Sequence, residues 1–123
     1  MNEEVAKHRR VAEQFPVSAE AQYNLGNALF AAGDLDEAIR CYQRATVLRP
    51  DFTEALANLG VAFQQRHEIE LAISCFARVA QLKPDDPRSQ TALASALKES
   101  GRLEEAVTYY REALALLPDF ADA

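Results

Sequence analysis

The side chains with the most reactive chemistry in this sequence are two cysteines, Cys41 and Cys75, and two histidines, one of which, His67, is followed by Glu68. Thiolates attack electrophiles and imidazoles move protons or bind metals, so spacing decides what these groups can do. The cysteines are far apart in the chain, and neither has a second Cys or His at metal-ligand spacing. His67-Glu68 lacks the second histidine of a zinc-protease helix and reads as a turn, since His tolerates positive φ better than most residues. Asp85 and Asp86 stand between Pro84 and Pro87, a turn and cap setting, whereas general acid–base work needs a desolvated carboxylate in a pocket. There is no Gly-rich phosphate loop and no Ser nucleophile elbow. These patterns exclude an enzyme acting alone and assign no catalytic residue, no metal and no cofactor.

The elements that position the remaining polar residues follow from a repeat. Leu25-Gly26 returns as Leu59-Gly60 and then as Leu93-Ala94, with the same step each time. That step also joins Pro50, Pro84 and Pro118, then Ala38, Ala72 and Ala106, then Tyr42, Phe76 and Tyr110, without insertion. A fixed period of this size marks units that bury their apolar faces only by stacking, as in a solenoid. Cys41 and Cys75 are one such step apart, so they occupy equivalent sites on helices whose axes are about 10 Å apart, too far for an unstrained disulfide, and read as half-buried packing residues.

Of the 123 residues 49% are hydrophobic and the net charge is -6, with Lys and Arg scattered. One elongated array fits this composition. Nucleic acid is an unfavoured partner because phosphate neutralisation needs clustered cations. No window approaches the roughly 18 apolar residues of a membrane helix, and Met1 to Arg10 lacks a signal-peptide core. A soluble, cytoplasmic chain with no membrane insertion is expected.

Within each unit apolar residues recur at helical spacing in two runs, such as Leu25 and Leu29, then Leu35, Ile39 and Tyr42. Each unit is therefore a helical hairpin. Gly33 and Gly101 supply left-handed stops, and Asp34 with Glu37 forms a capping box for the second helix. Asp51 with Glu54 is expected to cap the next first helix in the same way, and Asp86-Pro87 to start the one after. Glu3 to Phe15 reads as a lone second helix closed by Pro16. Pro118-Asp119-Phe120-Ala121-Asp122-Ala123 parallels Pro50-Asp51-Phe52-Thr53-Glu54-Ala55, so a further unit is expected to open there.

From Ala19 to Phe120 these residues resemble the tetratricopeptide repeat: the Leu-Gly pair, an apolar residue three positions after the Gly (Leu29, Phe63, Leu97), the small residue, the aromatic and the closing proline. Departures are Gln22, Leu56 and Gln90 where a large aromatic is frequent, and Val79 where Ala45 and Ala113 are small; slightly looser packing is expected there. The resemblance implies an all-α, right-handed superhelical solenoid of antiparallel helix-turn-helix repeats. It divides the chain into a partial repeat at 1–18, whole repeats at 19–52, 53–86 and 87–120, and the start of another at 121–123.

The resemblance also implies that the first helices line a concave groove for a protein or peptide. Its positions here are Glu20, Tyr23, Asn24, Asn27 and Phe30, then Glu54, Ala57, Asn58, Val61, Gln64 and Gln65, then Arg88, Thr91, Ser95, Lys98 and Glu99. The candidate binding set is Tyr23, Asn24, Asn27, Phe30, Asn58, Val61, Gln65, Arg88, Ser95 and Lys98. Asn24 and Asn58 match the asparagine ladder of O-linked N-acetylglucosamine transferases, with Ala92 in place of a third rung. Asn27, Asn58 and Arg88 match part of the carboxylate clamp of chaperone-binding co-chaperones, whose other two cations are replaced by Tyr23 and Ala92. The expected function is a non-catalytic interaction scaffold. Two alternatives are a substrate-selecting segment of a larger enzyme such as a glycosyltransferase and a structural unit that forms a homo-oligomer through its uncapped C-terminal helix.

Overall fold

The structure is a computed structural model that describes residues 2–117. Among them are seven helices: α1 (Glu3–Gln14), α2 (Ala19–Ala31), α3 (Leu35–Leu48), α4 (Thr53–Gln65), α5 (Ile69–Leu82), α6 (Pro87–Glu99) and α7 (Leu103–Leu116). The repeat is reproduced to the residue: α2, α4 and α6 begin at Ala19, Thr53 and Pro87, one sequence period apart, and each spans 13. Each helix packs on the next, so the chain builds an all-α solenoid of stacked hairpins. Pro118, Phe120 and the expected opening of a further unit lie outside the described residues.

The three hairpin turns are one device used three times. Gly33 (φ 87°), His67 (φ 62°) and Gly101 (φ 86°) take the left-handed conformation, as their residue types imply. The next residue's N–H then reaches back to Leu29, Phe63 or Leu97 at 2.9 Å, closing the helix with a Schellman motif.

Two of the expected capping boxes do not form. Asp34 is the N-cap of α3, but its side chain accepts no cap hydrogen bond, and Glu37 instead pairs with Arg9 of α1 at 2.7 Å. At α4 the N-cap is Phe52, so Asp51 stands one residue too early, and Glu54 accepts from the Thr53 hydroxyl at 2.6 Å. The backbone explains the difference. Asn2, Ser18 and Asp86 have extended ψ of 118°, 113° and 112° and all cap, whereas Asp34 and Glu68 have ψ of 77° and 69° and do not; Phe52 and Arg102 carry no side-chain acceptor and cannot cap. Asp86-Pro87 starts α6 as expected.

Small residues mark where helices touch. A Cβ added to Gly26 would lie 2.8 Å from the Tyr42 ring, and one added to Gly60 would lie 2.7 Å from the Phe76 ring. Both rings are consequently almost wholly enclosed. In the third hairpin Ala94 replaces the glycine and the corresponding Tyr110 is only half-buried. Cys41 and Cys75 are free and buried, deeper than half-buried positions would be. Burial pushes both thiols up, Cys75 to about 11, so they are packing groups held as neutral thiols.

Gln22 and Gln90 are buried, and each encloses a carbonyl oxygen that accepts no hydrogen bond from a described residue. Gln90 does donate to the Pro84 carbonyl at 3.1 Å.

Candidate peptide-binding groove

A cleft of about 420 Å³ runs along α2, α4 and α6, and Tyr23, Ala57, Asn58, Val61, Arg88 and Ala92 are among its lining residues. These side chains share a face because they recur at three- and four-residue steps on each first helix, as Glu54, Ala57, Asn58 and Val61 do on α4. The second helices close the floor with Phe76 and Val79, and Lys83 stands at the rim. Lys83 and the floor residues were not legible as groove members, since they lie on α5 or just past its end.

At the junction of α2, α3 and α4 the polar groups are bonded to one another. The Tyr42 hydroxyl donates to Asn27 Oδ1 at 2.6 Å, and Asn58 Nδ2 donates to the same oxygen at 2.9 Å. Asn58 Nδ2 also reaches the Tyr23 hydroxyl at 3.5 Å. Tyr23 in turn packs against Phe52 with the rings tilted by 47° and their centroids 4.8 Å apart, and the Arg49 guanidinium lies 3.8 Å from the centre of the Phe52 ring. Burial, with the Tyr23 phenol next, pushes the Tyr42 hydroxyl up to about 12, while the Asn58 amide favours its ionised form.

Of the ten candidate residues, Tyr23, Asn58, Val61 and Arg88 line this cleft, and Asn27 joins them through its hydrogen bond with Asn58. Arg88 and Ser95 line a second, apolar cleft of about 680 Å³ between α6 and α7. Asn24, Gln65 and Lys98 are exposed and Phe30 packs against the core; none of the four lines either cleft. Asn24 and Asn58 are therefore not equivalent rungs, because one is solvated and the other is held in the tyrosine network. Arg88 is also engaged: it bonds Asp86 through Nε at 3.2 Å and Nη2 at 3.0 Å, and these bonds hold the Asp86 carboxyl below its ordinary range. Glu54 is likewise lowered, first by the Thr53 hydroxyl, then by backbone, with Lys83 and Arg49 nearby. The groove thus offers amides, hydroxyls and apolar surface, with Arg88 paired to Asp86 beside them.

The second cleft repeats the first one step along. Ala57, Asn58, Val61, Phe76 and Val79 of the first correspond to Thr91, Ala92, Ser95, Tyr110 and Ala113 of the second, each one sequence period on. Leu114 and Leu117 add exposed apolar surface there. Among the described residues no cluster of His, Cys, Asp and Glu could hold a metal, and no helix is long and apolar enough to cross a membrane.

No curated protein matches the chain. Solved structures with the same fold include a crystal structure of MamA at 28% identity and TM-score 0.89, covering 97% of this chain and 70% of that one. A second MamA crystal structure is similar at 28% identity and TM-score 0.86, covering 91% of this chain and 61% of that one. Another MamA structure shares the fold alone, at 22% identity and TM-score 0.81, with 97% and 67% covered. A TPR repeat model matches residues 26–67 and a Tetratricopeptide repeat model matches residues 57–121, which takes in most of α4 and all of α5 to α7. With the sequence period, the helix pairs and the family models coinciding, the chain belongs to the tetratricopeptide repeat family.

Proposed function

We infer that this chain is a non-catalytic interaction module that holds an extended segment of another protein in the cleft along α2, α4 and α6. The observation that carries this reading is the cleft's lining. Tyr23 and Asn58 present hydrogen-bonding groups beside Ala57, Val61 and Phe76, a mixture suited to peptide backbone and apolar side chains together. Affinity is expected to be modest, since each neutral hydrogen bond adds a net of about 0.5–1.5 kcal/mol. The repeat boundaries at 19–52, 53–86 and 87–120, with a lone second helix before them, are part of this reading. A cytoplasmic setting accords with two unpaired, enclosed thiols.

A peptide-display selection against the purified chain, run beside Val61→Arg, tests the reading. Val61 is 38% exposed on the cleft wall, so the larger cation blocks the groove without entering the core. Peptides enriched on the unmodified chain and lost on Val61→Arg are expected; peptides kept equally by both would place binding elsewhere.

The apolar cleft between α6 and α7 favours a second reading, association of copies through that end. Leu114 is 68% exposed there, beside Tyr110 and Ala113. Sedimentation should then show mass rising with concentration and Leu114→Lys abolishing the rise. A mass that stays monomeric throughout would sink this reading and leave the groove untouched.

A further inference from the structure

We propose that Asn27 and Asn58 act as one oriented pair that recognises a single peptide unit of a bound extended segment, Asn27 donating and Asn58 accepting, and that Tyr42 is the positioning residue that sets this polarity. The proposal rests on the groove reading and adds to it which atoms face the partner.

An asparagine amide has two unlike ends, and what each end does depends on which end is already used. The contact between the Tyr42 hydroxyl and Asn27 is 2.6 Å, a length typical of O–H···O and short for N–H···O, so it is the Asn27 oxygen that faces Tyr42. That oxygen also accepts from Asn58 Nδ2, which occupies both of its lone pairs. Two groups are left over: the Asn27 NH₂ and the Asn58 carbonyl. Neither is among the enclosed polar atoms that lack a partner, so both remain open to solvent or to a ligand. Asn58 lines the cleft, and Asn27 lies four residues after Tyr23, which lines it too. A donor and an acceptor side by side match the C=O and N–H of extended backbone.

The other hairpins supply an internal comparison. Where Tyr42 faces Asn27, the next unit has Phe76 with Val61, and hydroxyl and amide are lost together. The equivalent of Asn58 there is Ala92, so the amide pair is absent from the second junction, where Ala57, Val61 and Phe76 line the cleft; the third hairpin sets Ser95 with Tyr110 and has no amide at that place. The bound segment should therefore spend one backbone unit at the α2/α4 junction and place an apolar side chain toward α6. This is a point contact with a fixed polarity. A ladder of equivalent rungs would bond backbone at every unit.

Two measurements test it, and they fail separately. In the free protein, side-chain amide exchange by NMR should show the Asn58 NH₂ protected and the Asn27 NH₂ exchanging freely; the reverse order would overturn the assigned polarity whether or not any peptide binds. In the complex, the probe is the display-selected peptide, with each backbone N–H replaced in turn by an ester oxygen. One position should lose about 2- to 10-fold in affinity, and that penalty should vanish on Tyr42→Phe. A merely structural Tyr42 would lower the melting temperature and leave the ester profile unchanged, which would overturn its positioning role. Should Tyr42→Phe fold poorly, Asn27→Asp keeps the acceptor and removes the outward donor; it should weaken the peptide by a similar factor, and unchanged affinity would count against the pair. If no peptide is retained while the amide protection stands, the groove reading fails and the polarity does not.

Discussion

Tyr42 joins core packing and an interhelical hydrogen bond in one side chain. Its ring fills the space that Gly26 leaves, and its hydroxyl ties α3 to Asn27 and, through Asn27, to Asn58 of α4. Because the fold raises its hydroxyl from 10 to about 12, the neutral form is the one the native state favours. That contribution to stability is fully present below pH 10 and is lost as pH rises toward 12. Alkaline unfolding should therefore begin above pH 10, and Tyr42→Phe should lack this part of the loss, as followed by circular dichroism against pH. Gln22 is the opposite case, a buried side chain whose carbonyl finds no described partner. Gln22→Leu places there the residue that the middle unit has as Leu56 and should raise stability by about 1 kcal/mol in urea denaturation. A loss would show that Gln22 holds a bond the helices need.

At the scale of elements, the hairpins were legible in the sequence because everything that specifies them is local and periodic. A 3.6-residue pattern, a left-handed stop at Gly33, His67 and Gly101, and small residues at fixed steps all recur within one unit. The box at Asp34 was misjudged because a cap depends on ψ, which is not extended in the turn after Gly33, and the box at Asp51 because α4 starts one residue later. Half of the groove was legible from helix faces alone. The Asn27–Tyr42–Asn58 network was not, since it joins residues 15 and 31 apart on three helices and depends on which rotamers meet. The tight contact of α4 with α5 gives a test at this scale. Gly60→Ala gains about 1 kcal/mol of helix propensity yet drives a methyl to 2.7 Å from an enclosed Phe76 ring. Overpacking of about 1–3 kcal/mol should win, and the variant should be less stable by thermal melting.

For the whole molecule, stability in a stacked array is a sum of units and their neighbours. Helices α2 to α6 have partners on both sides, with α3 to α5 the innermost, whereas α7 buries only Ala106 and Ala113 among the described residues and exposes Val107, Leu114 and Leu117. Amide hydrogen exchange should accordingly be slowest in α3 to α5 and fastest in α1 and α7. Uniform protection along the chain would mean that the ends are held by contacts beyond this stack. The same linear architecture is what leaves the cleft along α2, α4 and α6, to which the proposed function assigns a partner. Amide shift mapping with a display-selected peptide tests that claim most directly. The account predicts perturbations concentrated at Asn27, Ala57, Asn58, Val61 and Ala92; perturbations confined to the outer faces of α3 and α5, or to the cleft between α6 and α7, would contradict it.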